Sequence, residues 1–117
     1  MKKAIALLLA LVMVFALCAC GGGGDSASGD KVVKIGVFEP ASGDSGAGGK
    51  KEMLGMQYAN QETPTVEIGG ETYKVELVYS DNGSDSAKAV SAASKLVNEK
   101  VSIVLGSYGS GVSIAAS

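Results

Sequence analysis

The sequence predicts an α/β fold: a parallel sheet in a three-layer arrangement with the element order β-α-β-α-β and a final helix just beginning. Three observations carry this. Apolar runs rich in β-branched residues lie at 32–38, 72–80 and 101–105. Between them, residues 50–61 and 86–99 repeat their apolar side chains at three- and four-residue spacings, the period of a helix. Strands alternating with helical segments of this size imply parallel pairing and right-handed crossovers.

Residues 32–38 (VVKIGVF) are nearly all apolar, as expected for a strand covered on both faces. Residues 39–49 (EPASGDSGAGG) read as an irregular loop. The first helix, over 50–61, clusters Met53, Leu54, Gln57, Tyr58 and Gln61, and Thr63-Pro64 ends it because a residue before proline avoids the helical region. Val66 to Ile68, the Gly69-Gly70 pair and the run from Thr72 predict a hairpin, since two adjacent glycines suit a two-residue turn. Tyr73, Val75, Leu77 and Tyr79 fall on one strand face and Lys74 and Glu76 on the other. In the turn at 81–85 (DNGSD), Ser84 or Asp85 caps the second helix, whose stripe is Ala89, Val90, Ala93, Leu96 and Val97. Tyr58, Tyr73 and Tyr79, all on apolar stripes, are expected in the core.

The N-terminus is organised differently. Two lysines precede an unbroken apolar run at 4–17, the length of a signal-peptide core and too short to span a bilayer. Leu17, Cys18, Ala19 and Cys20, followed by four glycines, resemble a bacterial lipoprotein signal with Cys20 as the lipidated first mature residue. Cys18 suits that role poorly, because Leu17 would then occupy the small-residue position. The expected organisation is a signal peptide at 1–19, a lipidated cysteine and flexible tether at 20–30, and a partial lobe at 31–117.

The protein has 117 residues and a formal charge of −2, with no histidine and no tryptophan. Without residues 1–19 the balance is eight lysines against twelve carboxylates, with no arginine. That excludes nucleic acid as an expected partner, which calls for clustered cations. A single remaining cysteine, itself lipidated, leaves no disulfide framework and no thiolate metal site.

Chemistry is sought where an open parallel sheet binds ligands, outside the carboxyl ends of its strands at the point where strand order reverses. An order 2-1-3 of the main strands would set the loops at 39–49 and 106–111 side by side. The second of these, GSYGSG, leads into a helix start, where unpaired amides and a positive dipole end suit a carboxylate or phosphate. Tyr108 there is either cleft wall or loop packing, and Ser42 in the first loop is a further candidate ligand contact. The first loop fails as a Walker A sequence, having Asp44 for the first glycine and Lys51 for Ser/Thr. It fails the Rossmann pattern at Lys51. Without histidine no Ser–His pair exists, and no carboxylate cluster has metal-ligand spacing, so neither enzyme nor cofactor is expected. Glu39 could act as a base or an ammonium partner; the plainer expectation is a solvated or helix-capping carboxylate.

VKIGV at 33–37, VELVYSD at 75–81, AKAV at 87–90 and VLG at 104–106, in this order and spacing, resemble the type I periplasmic substrate-binding proteins of ABC transporters, most of all their leucine/branched-chain amino-acid branch. The resemblance implies two α/β lobes closing on a small ligand, with an amino-acid carboxylate held by hydroxyls and amides. Ser110 falls at the family's carboxylate-binding serine, with Gly109 and Gly111 allowing close backbone approach. It also implies ABC permease subunits as partners and membrane attachment through the lipid. A sensor lipoprotein of the same fold is the alternative. The sequence departs from the branch at 45–49 (SGAGG), where leucine binders often carry an aromatic residue. Because the chain stops at Ser117, it is expected to be an N-terminal fragment of the first lobe, too incomplete to fold well or bind alone.

Overall fold

The computed structural model describes residues 31–117; the expected signal peptide at 1–19 and the expected lipidated Cys20 and tether at 20–30 lie outside them. Strand β1 (Val32–Phe38) is followed by helix α1 (Gly46–Glu62), strands β2 (Thr65–Ile68) and β3 (Glu71–Tyr79), helix α2 (Ser86–Asn98), strand β4 (Ile103–Gly106) and helix α3 (Ser110–Ala116). The sheet order is β2-β3-β1-β4. β1 pairs in parallel with β3 (Ile35 opposite Leu77) and with β4 (Ile35 opposite Ile103). The three main strands therefore stand in the order expected, with the first in the middle. β2 adds an antiparallel edge through the Gly69-Gly70 turn, where both glycines have positive φ (62° and 80°), so the sheet is mixed.

The core lies on one face of the sheet. Phe38 packs with Ala89, Ala92 and Leu96 of α2 and Val112 of α3, and Val78, Val101 and Ala115 close around them. Asp85 caps α2, its carboxylate accepting from the Ala87 amide at 2.7 Å. Of the expected α2 stripe, Ala89 and Leu96 are buried and Ala93 is half-buried. Val90 and Val97, by contrast, are exposed, and Ala92 takes the inner place. The helix meets sheet and α3 along the Ala89–Ala92–Leu96 line, so the outer edge of its apolar stripe stays in solvent.

α1 departs most from expectation. It starts at Gly46, four residues early, so Gly46, Gly48 and Gly49 are helical despite the low intrinsic propensity of glycine. Tertiary contact overrides propensity: a side chain at Gly49 would run into Pro40, and one at Gly48 into Tyr108. Ser45 accepts from both the Gly48 and Gly49 amides at 3.0 Å. The face of α1 turned to the sheet is also different. Leu54 and Tyr58 are 63% and 64% exposed, whereas Gly55, Met56, Ala59 and Asn60 face Ile35, Val75, Leu77 and Leu105 across a cavity of about 570 Å³. Tyr58 is thus not a core residue; Tyr79 is on the exposed side and Tyr73 only half-buried. Thr63 ends the helix as expected, its amide bonding back to Ala59.

At the end of the sheet where β1 begins, Lys31 forms an ion pair with Glu71 and lies 5.9 Å from the centre of the Tyr73 ring. The Tyr73 hydroxyl donates to the same glutamate at 3.3 Å.

Candidate functional site

The chain leaves β1, β3 and β4 at the same end of the sheet, and the three loops are bonded into one unit. Asp81, after β3, reaches the β1–α1 loop: its carboxylate accepts from the Ala41 amide (2.7 Å), the Ser42 amide (3.3 Å) and the Ser42 hydroxyl (2.6 Å). It also accepts from Gly83 in its own turn at 2.8 Å. Burial alone pushes the Asp81 carboxyl up, but these donated hydrogen bonds outweigh it and hold the pKa below the usual aspartate value. Ser84 completes the seam, its hydroxyl accepting from the Ser45 amide and donating to the Ser42 carbonyl.

Asn82 spans all three loops. Its fully buried amide nitrogen donates to the carbonyls of Phe38 (3.0 Å) and Ser107 (3.3 Å). Its oxygen accepts from the Ser84 amide at 3.0 Å. In the β4–α3 loop, the Ser107 hydroxyl donates to the Gly109 carbonyl at 3.0 Å and meets the Ser113 hydroxyl at 2.6 Å. This fixes the turn in which Tyr108 takes a positive φ of 69°.

The residues expected to bind a ligand divide into two sets. Gly109, Ser110 and Gly111 form the start of α3, with Gly109 at the N-cap in extended conformation. The Val112 and Ser113 amides both bond back to Gly109. The Ser110 hydroxyl and the Ser110 and Gly111 amides have no hydrogen-bond partner among the described residues, and both residues are exposed. Tyr108 is 54% exposed, with its ring against Gly48. The ring therefore packs its loop against α1 while keeping about half of its surface open to solvent. Ser42 is in the neighbouring loop, but its proton is committed to Asp81, leaving only lone pairs to offer.

Glu39 is not the solvated or capping carboxylate of the plainer expectation. It is 1% exposed, and its Oε2 has no hydrogen-bond partner. Burial first, and then the charge and hydrogen bonding of Glu52 on α1, raise its pKa to about 7. Sequence reasoning missed Asp81, Asn82 and Ser107 as the frame of the site. The DNGSD turn was legible as a turn and a helix cap, but its reach into two other loops depends on the strand order. Among the described residues no group of three His, Cys, Asp or Glu side chains could hold a metal, and no helix is long and apolar enough to cross a membrane.

The chain is thus an open α/β sheet with free hydroxyl and amide groups beyond the carboxyl ends of its strands, the place where sheets of this class bind ligands. The periplasmic binding protein family profile matches residues 32–117, and the chain belongs to that family. Its members are solute-binding proteins that work outside the cytoplasm. Among curated relatives, Leu/Ile/Val-binding protein homolog 2 of Brucella abortus is 33% identical over 85 residues, covering 73% of this chain and 23% of the relative. Homolog 1 of the same species is 34% identical over 95 residues, covering 80% and 24%. Of solved structures, the leucine binding protein LivK from Thermotoga maritima superimposes with a TM-score of 0.65 at 38% identity, covering 73% of this chain and 23% of that one. The branched-chain amino acid transporter substrate binding protein LivJ from Streptococcus pneumoniae, in complex with isoleucine, gives 0.63 at 36% identity, covering 74% and 25%. A solute binding protein of an ABC transporter from R. palustris, in complex with benzoate, gives 0.62 at 28% identity, covering 73% and 23%. The chain thus spans about a quarter of the length of these relatives.

Proposed function

We propose that this chain is part of a lipid-anchored substrate-binding receptor that captures a small extracellular amino acid, of the branched-chain class, and delivers it to the permease of an ABC transporter. The observation that carries this reading is the start of α3, where the Ser110 hydroxyl and the Ser110 and Gly111 amides are free and adjacent, in a chain 33–38% identical to Leu/Ile/Val and leucine binding proteins. Such a group of donors takes a carboxylate without needing a cationic side chain. Gly109 and Gly111 leave room for the ligand to reach the backbone, Tyr108 walls the cleft, and Ser42 faces it from the β1–α1 loop. The receptor acts by binding and carries no catalytic step. Cys20 bears the lipid, which holds the receptor at the membrane surface and raises its local concentration at the permease.

The test is calorimetric titration of the protein as its host makes it with L-leucine, L-isoleucine, L-valine and benzoate. Saturable binding of a branched-chain amino acid is expected, weakened about 10- to 100-fold in Ser110→Ala, the size of a lost hydrogen bond to a charged group. Benzoate binding in place of the amino acids would redirect the reading to aromatic acids; the 45–49 segment, which has no aromatic residue, is the feature that keeps that ligand in the test. Binding indifferent to Ser110→Ala would remove the α3 start as the carboxylate site.

A further inference from the structure

The donors proposed to hold the ligand sit on a loop that makes few bonds of its own to the sheet, so something outside it must fix its position. We infer that Asn82 is the positioning residue of the site: its side-chain amide, clamped between the carbonyls of Phe38 and Ser107, sets the spacing between the β1–α1 loop and the loop that presents Ser110. This rests on the proposed reading of the α3 start as the ligand site.

Three features of the geometry support it. The side chain is 0% exposed, and both amide hydrogens and the oxygen are used. Its orientation is set by its partners, because two carbonyls can only accept and the Ser84 amide can only donate. And the two carbonyls belong to the last residue of β1 and the first after β4, strands already paired at Phe38 and Gly106. No other side chain among the described residues bonds both loops at once. Asn82 touches neither Ser110 nor the free amides; it acts on them through Ser107, whose hydroxyl and carbonyl shape the turn through Gly109.

The test uses the protein as its host makes it, with L-leucine as probe and the backbone amide NMR signals of Gly109 and Ser110 as a ligand-free readout. Asn82→Ala is expected to shift both signals and weaken L-leucine binding at least 10-fold while the protein still melts cooperatively. Asn82→Asp keeps the acceptor for Ser84 but places a carboxylate against two carbonyls. That raises its pKa, and once protonated the side chain donates one of the two lost bonds. Its Gly109 and Ser110 signals are therefore expected near wild-type positions at pH 5 and displaced at pH 8. The titratable groups around the position are Asp81 and Asp85 in its own turn, Lys88 beside Gly83, Glu39 after Phe38 and Tyr108 after Ser107; all are present in the wild type, whose own pH response is subtracted. An alanine variant that loses melting temperature but leaves both signals in place would overturn the inference. If that variant does not fold, an aspartate variant with no extra pH response would overturn it instead. Should the wild type bind no L-leucine, the functional reading fails separately, and the amide signals still decide the positioning role.

Discussion

The Tyr108 ring lies on the Cα of Gly48, so closely that a methyl group at position 48 would overlap the end of the ring. The contact joins the first turn of α1 to the loop at the start of α3. In Gly48→Ala the helix gains up to about 1 kcal/mol of intrinsic propensity, and the half-exposed ring can swing away. Stability is therefore expected to stay within about 1 kcal/mol of wild type by denaturant unfolding. The near-ultraviolet tyrosine circular dichroism should change. An unchanged spectrum would mean that the ring does not rest on the helix in solution.

Asp81 supplies a second test. Replacing it by alanine leaves the Ala41 and Gly83 amides without their acceptor, at a cost of about 1–3 kcal/mol. Because its pKa is lowered on folding, its stabilisation is present above the ordinary aspartate value and is lost as pH falls through the folded one. Asp81→Ala should therefore be less stable at pH 7 and show a shallower loss of stability on acidification. Equal acid sensitivity in both proteins would count against the seam.

Glu39 works in the opposite sense. With a folded pKa of about 7 against 4.5, the folded state keeps a proton that the unfolded chain has released, so stability declines as pH rises from about 4.5 to about 7 and then levels off. The shift corresponds to about 3 kcal/mol. Glu39→Gln removes the ionisation and should flatten that part of the profile, leaving the variant more stable than wild type at pH 8 and little changed at pH 4. Urea midpoints across this range measure it.

Leu96 and Val97 are adjacent in sequence and differ in fate, one fully buried over Gly36 and the other 72% exposed. Leu96→Ala should cost about 2–5 kcal/mol, and Val97→Ala less than about 0.5 kcal/mol. Comparable losses at both positions would mean that α2 is rotated from the orientation described.

What the sequence made legible follows the strength of local signals. The three main strands, the hairpin glycines, a cap at Ser84 or Asp85 and the break at Thr63-Pro64 each have a local cause and were readable. The central place of β1 was one order compatible with right-handed crossovers, which fix the hand of each connection but not the side of β1 on which the next strand is laid. The start of α1 was not readable, because three of its first four residues are glycines, poor helix formers whose places are set by the close approach of Pro40 and of Tyr108 from another loop. Tyr58 misled because the apolar side chains of α1 do not form one clean stripe: Leu54 and Tyr58 share a face that points to solvent. In the candidate site, Ser110 and its glycines could be picked out by residue type and resemblance. Asn82 could not, since an asparagine in an Asn-Gly turn is fully accounted for by the turn itself. Only the closing of three loops gives it a second set of partners.

The central position of β1 bears on how the chain folds. Ile35 must wait for Leu77 on one side and for Ile103 on the other, and neither pairing is local. Closing such long loops precedes any reward from the contacts, which slows the folding of parallel sheets. The first of the described strands to be synthesised thus gains its second neighbour only once β4 has been made, so the order of synthesis runs against the order in which the middle of the sheet can close.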